Sequence, residues 1–319
     1  MTRGVVTIPG NLRAKARESG WPDDLVRQAL AFGATPDQII GYMDQGVTVE
    51  QARGFLAAAS GGAEPPEEIG TSSAAAGGPR HEERFAAATF NGHRLATVLH
   101  DASTSDIVVF CHGFQGHKGG PNGRFFVRAA RTLAGHGISS LRFDQYGCGD
   151  SDGDSTDSSF RDWIATTRAI AERYIASGYR VALFGHSMGA VAALGVAAEV
   201  RGLAAVVAWS GDPNVEPFVP SATGFVEEGG QLARDSYWRE AHEARIAEKF
   251  ELIEAPTYLL FGTMDHLVDQ TNRQALVDRT DQHHRVDVLE GYGHSAFTVA
   301  HANEILARTC AFLVDAFKR

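Results

Sequence analysis

The hydrophobic rhythm of the chain changes twice. Within residues 1–60, apolar positions recur at helical spacing in three short blocks, 22–32, 36–45 and 49–59. Residues 61–80 are rich in Gly, Pro, Ser and Glu, have no apolar period and read as a flexible linker. From residue 81 onward, short and nearly continuous apolar runs alternate with helical periods. The runs at 107–111, 138–143, 181–184, 203–209, 257–261 and 286–289 read as strands, and 125–134, 160–176, 190–200 and 299–317 as helices. Strands without inside–outside alternation imply a mainly parallel sheet covered by helices on both faces. Two further runs, 85–90 and 94–100, flank Asn91-Gly92, a hairpin-turn signal that adds antiparallel strands at one edge. Residues 211–254 break the alternation and read as a short cap insertion, with 236–252 as a helix inside it.

The expectation is therefore an α/β domain over 81–319 preceded by a small three-helix module over 1–60. In the module two helix starts repeat, Gly33-Ala34-Thr35-Pro36-Asp37-Gln38 and Gly46-Val47-Thr48-Val49-Glu50-Gln51. Each glycine can end the preceding helix in a left-handed conformation, and each Thr and Gln can form a capping box. Pro36 sits at the first helical position, where its missing N–H costs nothing. Leu25, Val26, Leu30, Phe32, Ile39, Ile40, Tyr42, Met43, Phe55 and Leu56 supply enough apolar surface for one small core. The module resembles the ubiquitin-associated type in shape, and no ubiquitin function is carried across. It reads as an interaction or dimerisation element, so a homo-oligomer or a protein partner is expected to use it.

Charge and cysteine content narrow the function. A formal net charge of −10 argues against nucleic acid and against an anionic membrane surface, because both need clustered Lys and Arg. The three cysteines, Cys111, Cys148 and Cys310, are too few and too far apart for a disulfide framework or a metal-type spacing. The N-terminus lacks the apolar core of a signal peptide, and no run is long and apolar enough to span a bilayer. A cytoplasmic protein is expected.

The candidate chemistry starts at Gly185-His186-Ser187-Met188-Gly189, where a strand turns into a helix. G-x-S-x-G alone is a common pentapeptide, and a serine in a tight turn is the bland alternative. In a strand–turn–helix context, however, the motif lifts a serine hydroxyl above the C-terminal edge of the sheet. A serine needs a base, and the base needs an orienting carboxylate. Asp265 follows one late strand in GTMD, and His294 follows the last strand in GYGH. The order Ser, Asp, His at strand ends is the α/β-hydrolase order. Asp269 is the rival carboxylate; Asp265 is preferred because it sits at the loop tip, whereas Asp269 starts the next helix. His112-Gly113-Phe114 follows another strand, which makes the Phe114 and Met188 N–H groups the natural oxyanion donors.

With these pieces in order, residues 85–317 resemble an α/β-hydrolase of the serine esterase and serine aminopeptidase-like branch, similar to small cinnamoyl (feruloyl) esterases. The resemblance rests on His112-Gly113-Phe114, DQYGCGDSDG at 144–153, GHSMG at 185–189, GTMD at 262–265 and Gly293-His294. It implies Ser187 as nucleophile, His294 as base, Asp265 as orienter, and Phe114 and Met188 as oxyanion donors. No cofactor and no metal are implied. The expected reaction is hydrolysis of small or medium carboxylic esters through an acyl-enzyme. Thioester or amide cleavage, acyl transfer and an inactive binding scaffold stay open as alternatives. Phe218, Phe225, Tyr237 and Trp238 in the insertion are candidate acyl-pocket residues, with ordinary packing as the alternative. The acidic run at 150–157 fails as a calcium loop, because Ser155 and Arg161 stand where Gly and Glu are required. The HKGG stretch at Lys118 lacks the spacing of a phosphate loop.

Overall fold

The computed structural model describes residues 7–31, 34–60, 82–216, 220–228, 231–296 and 298–319. They fall into two compact units, Met1–Gly78 and Pro79–Arg319. The stretch read as a linker, 61–80, lies outside the described residues, as do Phe32 and Gly33.

The first unit contains helices α1 (Gly10–Glu18), α2 (Asp23–Ala31), α3 (Pro36–Asp44) and α4 (Val49–Ser60). The three expected helices are present, and α1 precedes them. Only two of its residues, Leu12 and Ala16, are buried, one turn apart on an otherwise polar helix. That stripe is too narrow to stand out in the sequence. Both repeated capping boxes form. The Thr35 hydroxyl accepts from the Gln38 N–H and the Gln38 side chain accepts from the Thr35 N–H, and Thr48 and Gln51 repeat the exchange. The core gathers Ile8, Leu12, Trp21, Leu25, Val26, Ile39 and Met43, with Leu30, Ile40 and Leu56 packed against it. Tyr42, counted for that core from the sequence, is instead 49% exposed.

The second unit opens with β1 (Glu82–Phe90) and β2 (His93–Asp101), paired antiparallel across the Asn91-Gly92 turn. Both turn residues have positive φ, as the hairpin turn requires. The chain continues through β3 (Asp106–Cys111), α5 (Phe125–Ala134), β4 (Ser139–Phe143), α6 (Phe160–Ala176), β5 (Arg180–His186), α7 (Met188–Ala197) and β6 (Ala205–Trp209). The insertion follows as a two-stranded hairpin, β7 (Phe225–Glu228) and β8 (Gln231–Arg234), then α8 (Asp235–Glu243) and α9 (Ile246–Lys249). The helix expected over 236–252 is broken between α8 and α9, where Arg245 takes a left-handed conformation. β9 (Thr257–Gly262), α10 (Gln270–Val277), β10 (His284–Leu289) and α11 (Val299–Phe317) complete the unit.

The eight-stranded sheet has the order β1-β2-β4-β3-β5-β6-β9-β10. All neighbours from β4 to β10 are parallel, and β2 joins β4 antiparallel. Strand alternation sorts the apolar runs onto two faces. Ile107, Val109, Leu183 and Leu259 pack with α6 and α7, while Val108, Phe110, Phe184 and Leu260 pack with α5 and α11. Every residue of α7 is buried. An all-apolar helix of this kind is a core helix and carries no amphipathic stripe. Its N-terminus is fixed at the end of β5, where the sequence places Ser187.

Candidate active site

Ser187 joins β5 to α7 at φ 55° and ψ −128°, a sparsely populated conformation for a residue with a side chain. The surroundings leave it little choice. Its N–H donates to Trp209 O (2.9 Å), and its carbonyl accepts from Ala190 and Val191 (2.8 and 3.1 Å) to start the helix. The two flanking glycines are required by close approach. A Cβ on Gly185 would lie 2.3 Å from Gly189 O, and one on Gly189 would lie 2.2 Å from Cys111 O. The G-x-S-x-G spacing therefore lets β5, α7 and the end of β3 meet at one point.

The serine hydroxyl does not cap its own helix. Oγ lies 2.8 Å from His294 Nε2. On the other side of the ring, Nδ1 lies 3.0 Å from both carboxylate oxygens of Asp265. Asp265 and His294 come together because β9 and β10 are parallel neighbours whose following loops touch. Gly262 makes this contact possible, since a Cβ there would be 2.0 Å from Tyr292 O. Asp265 Oδ1 also accepts from the N–H groups of Leu267 (3.0 Å) and Val268 (3.2 Å). Burial alone would push this carboxyl's pKa up. The hydrogen bonds from His294 and the backbone outweigh it and hold the group below its usual range, so it is ionised at neutral pH. A carboxylate fixed in this way keeps the ring proton on Nδ1 and leaves Nε2 free to accept a proton from Ser187.

Asp269 is elsewhere. Its carboxylate caps α10, accepting from Thr271 N–H (2.8 Å) and Asn272 N–H (3.1 Å).

The loop after β3 lies against the serine. A Cβ on Gly113 would be 3.0 Å from Ser187 Cβ. Among the described residues, neither the Phe114 nor the Met188 backbone N–H has an acceptor. The Phe114 ring packs against Tyr237 (4.9 Å between centroids) and Trp238 (4.8 Å) of α8.

Two buried histidines hold this region in place. His112 accepts from Gln145 N–H through Nε2 (3.0 Å), so its Nδ1–H donates to Gly113 O (2.8 Å). His186 Nε2 lies 2.9 Å from His294 O and so donates to it, while its ring meets Trp209 edge-on. Burial pushes the pKa of His112 down to about 4 and that of His186 down to about 3. Both are neutral at physiological pH. Nothing in the local sequence signals that His186 grips the backbone of His294. That contact joins residues 108 positions apart.

A profile of the family described as serine aminopeptidase, S33, matches residues 102–227. That span includes the Ser187 turn but neither Asp265 nor His294. A comparison of the sequence with curated proteins returns no match. Among solved structures, Est1E from Butyrivibrio proteoclasticus, seen with ferulic acid bound, is 20% identical; the match covers 73% of this chain and 100% of that one, with a TM-score of 0.64. A monoacylglycerol lipase from Paleococcus ferrophilus is 21% identical over 70% of this chain and 99% of its own, at a TM-score of 0.61. The α/β hydrolase GrgF from Penicillium sp. sh18 is 17% identical over 75% and 100%, at 0.63. The fold is that of an α/β-hydrolase.

Within this fold the structure brings together Ser187, His294 and Asp265, with the Phe114 loop and Met188 alongside. The insertion residues are distributed differently. Tyr237 is buried against Phe160 and Trp163 and packs as core, whereas Trp238 is half-buried beside Phe114. Phe225 lies on β7 with the Arg234 guanidinium 5.5 Å from its ring centroid. Phe218 lies outside the described residues. Among the described residues, no helix is long and apolar enough to cross a membrane.

Proposed function

We propose that this protein is a serine hydrolase that cleaves carboxylic esters of small or medium acyl groups through an acyl-enzyme. One observation carries the reading: Asp265, His294 and Ser187 form an unbroken hydrogen-bonded line, with 3.0 Å and 2.8 Å contacts, on a strained turn. His294 Nε2 takes the Ser187 proton as Oγ bonds to the ester carbonyl carbon. The oxygen then carries negative charge, and the Phe114 and Met188 N–H groups, together with the N-terminus of α7, stabilise it. The carbon–oxygen bond to the leaving alcohol breaks as His294 returns the proton to that oxygen. Water, deprotonated by His294, then attacks the acyl-enzyme and frees Ser187. Asp265 fixes the imidazole tautomer and stabilises its cation throughout. The half-buried rings of Phe114 and Trp238 offer the acyl group an apolar surface.

The test is turnover of a panel of p-nitrophenyl esters with matched thioesters and amides, by the wild type and by Ser187→Ala. Ester hydrolysis that disappears in the variant is the expected result. Hydrolysis unchanged in Ser187→Ala overturns the proposal.

A further inference from the structure

The loop that carries Phe114 is held at both ends by residues around β4. At its start, His112 accepts from the N–H of Gln145. At its end, Lys118 meets Asp144 twice: its backbone N–H donates to one carboxylate oxygen, and its ammonium lies 2.7 Å from the other. Asp144 is fully buried, and it also accepts from Asp150 N–H at 2.8 Å. The Lys118 side chain, 16% exposed, also reaches the exposed Asp150 carboxylate. Among the described residues, Lys118 is the one cation in ion-pair contact with Asp144.

Between these two ties the backbone is strained. The turn 113–116 closes through Gly116 N–H to Gly113 O (2.9 Å), and Gln115, at its tip beside Phe114, has φ 53°. A non-glycine residue in the left-handed region persists only where its surroundings fix it. The direction of the Phe114 N–H is set by this turn.

We propose that Lys118 is a positioning residue: it neutralises buried Asp144 and pins the end of the strained turn, which aims the Phe114 N–H at the developing oxyanion. The inference rests on the serine-hydrolase reading. It explains why HKGG follows the turn although it matches no phosphate loop. Because the oxyanion exists only after attack, loss of the aim reduces transition-state stabilisation and leaves ground-state binding largely alone.

The test uses the full chain as wild type, Lys118→Met, Lys118→Arg and Lys118→Gln. Three quantities are read on p-nitrophenyl butyrate: kcat, KM and inhibition by a trifluoromethyl ketone, whose serine adduct carries the oxyanion. Lys118→Met is expected to lower kcat by about 10- to 100-fold and to weaken the ketone by a similar factor, with KM moving less than about twofold. Lys118→Arg keeps the cation and recovers kcat to within about fivefold of wild type. Lys118→Gln removes the charge but keeps a donor on the side chain, and is expected to fall between Lys118→Met and Lys118→Arg in kcat. If Lys118→Met does not fold, Lys118→Gln takes its place in the comparison with Lys118→Arg and wild type. Lys118→Met with unchanged kcat, or a loss confined to KM, overturns this inference alone. A wild type inert on every ester overturns the hydrolase reading and this inference with it.

Discussion

Replacing Asp265 by Asn tests the site at the point where the structure makes the sharpest demand. Oδ1 accepts from two backbone N–H groups, of Leu267 and Val268, as well as from His294 Nδ1, whereas Oδ2 faces His294 at 3.0 Å. In Asp265→Asn the two backbone donors select the carbonyl for the Oδ1 position. The amide NH2 then takes the Oδ2 position and points an N–H at Nδ1. His294 responds by moving its proton from Nδ1 to Nε2, which then donates toward Ser187 Oγ and cannot accept from it. The variant also loses the negative charge that stabilises the imidazolium, and charge-assisted hydrogen bonds are worth about 1.5–3 kcal/mol each. Wrong tautomer and lost charge together are expected to lower kcat on the order of 10³- to 10⁴-fold, about 4–5.5 kcal/mol of barrier. Asp269→Asn is the control, because Asn caps a helix as well as Asp does; it is expected to stay within about twofold of wild type. Pre-steady-state release of p-nitrophenol measures both, with thermal melting to confirm that each variant is folded. Loss of less than about tenfold in Asp265→Asn, or an equal loss in Asp269→Asn, would refute the reasoning.

Two further outcomes follow from the buried histidines. His112 and His186 bind protons at about 4 and about 3 when folded but near the ordinary histidine value of about 6.5 when unfolded. Stability is therefore complete above that unfolded value and is lost as pH falls toward the folded values. Urea unfolding should show a decline approaching 3 kcal/mol per pH unit between about pH 6 and pH 4.5 from the two groups together; a flat profile there contradicts their assignment as buried and neutral. His186→Phe keeps a ring against Trp209 but removes the donor to His294 O, and is expected to cost about tenfold in kcat/KM; unchanged kinetics would show that His186 does not position the base.

The legible parts of this molecule are those where local pattern and tertiary role coincide. The strand runs, the Asn91-Gly92 hairpin and the α5 and α6 helices were visible because each carries its own period or turn signal. The Ser187, Asp265 and His294 positions were visible because each ends a strand, so topology gathers them at one sheet edge. What stayed hidden depends on partners distant in sequence. In the sequence Lys118 reads only as part of a stretch that fails as a phosphate loop; its partner Asp144 lies 26 positions away. The break at Arg245 is invisible because the residues around it, EARIAEK at 243–249, include no Gly or Pro and are mostly good helix formers. Tyr237 and Trp238 are adjacent and similar in type, yet one is core and the other half-exposed, and only the direction of α8 decides between them. Helix α1 is not legible in the sequence because its two buried residues make no readable stripe.

The central claim is that Ser187 is an activated nucleophile, and covalent capture tests it most directly. Intact protein is incubated with a fluorophosphonate and the modified peptide is located by mass spectrometry. The account expects one phosphonyl group per chain, attached to Ser187, with labelling slowed in Asp265→Asn and absent in Ser187→Ala. A protein that takes no label at Ser187 while Ser187→Ala behaves identically would contradict it.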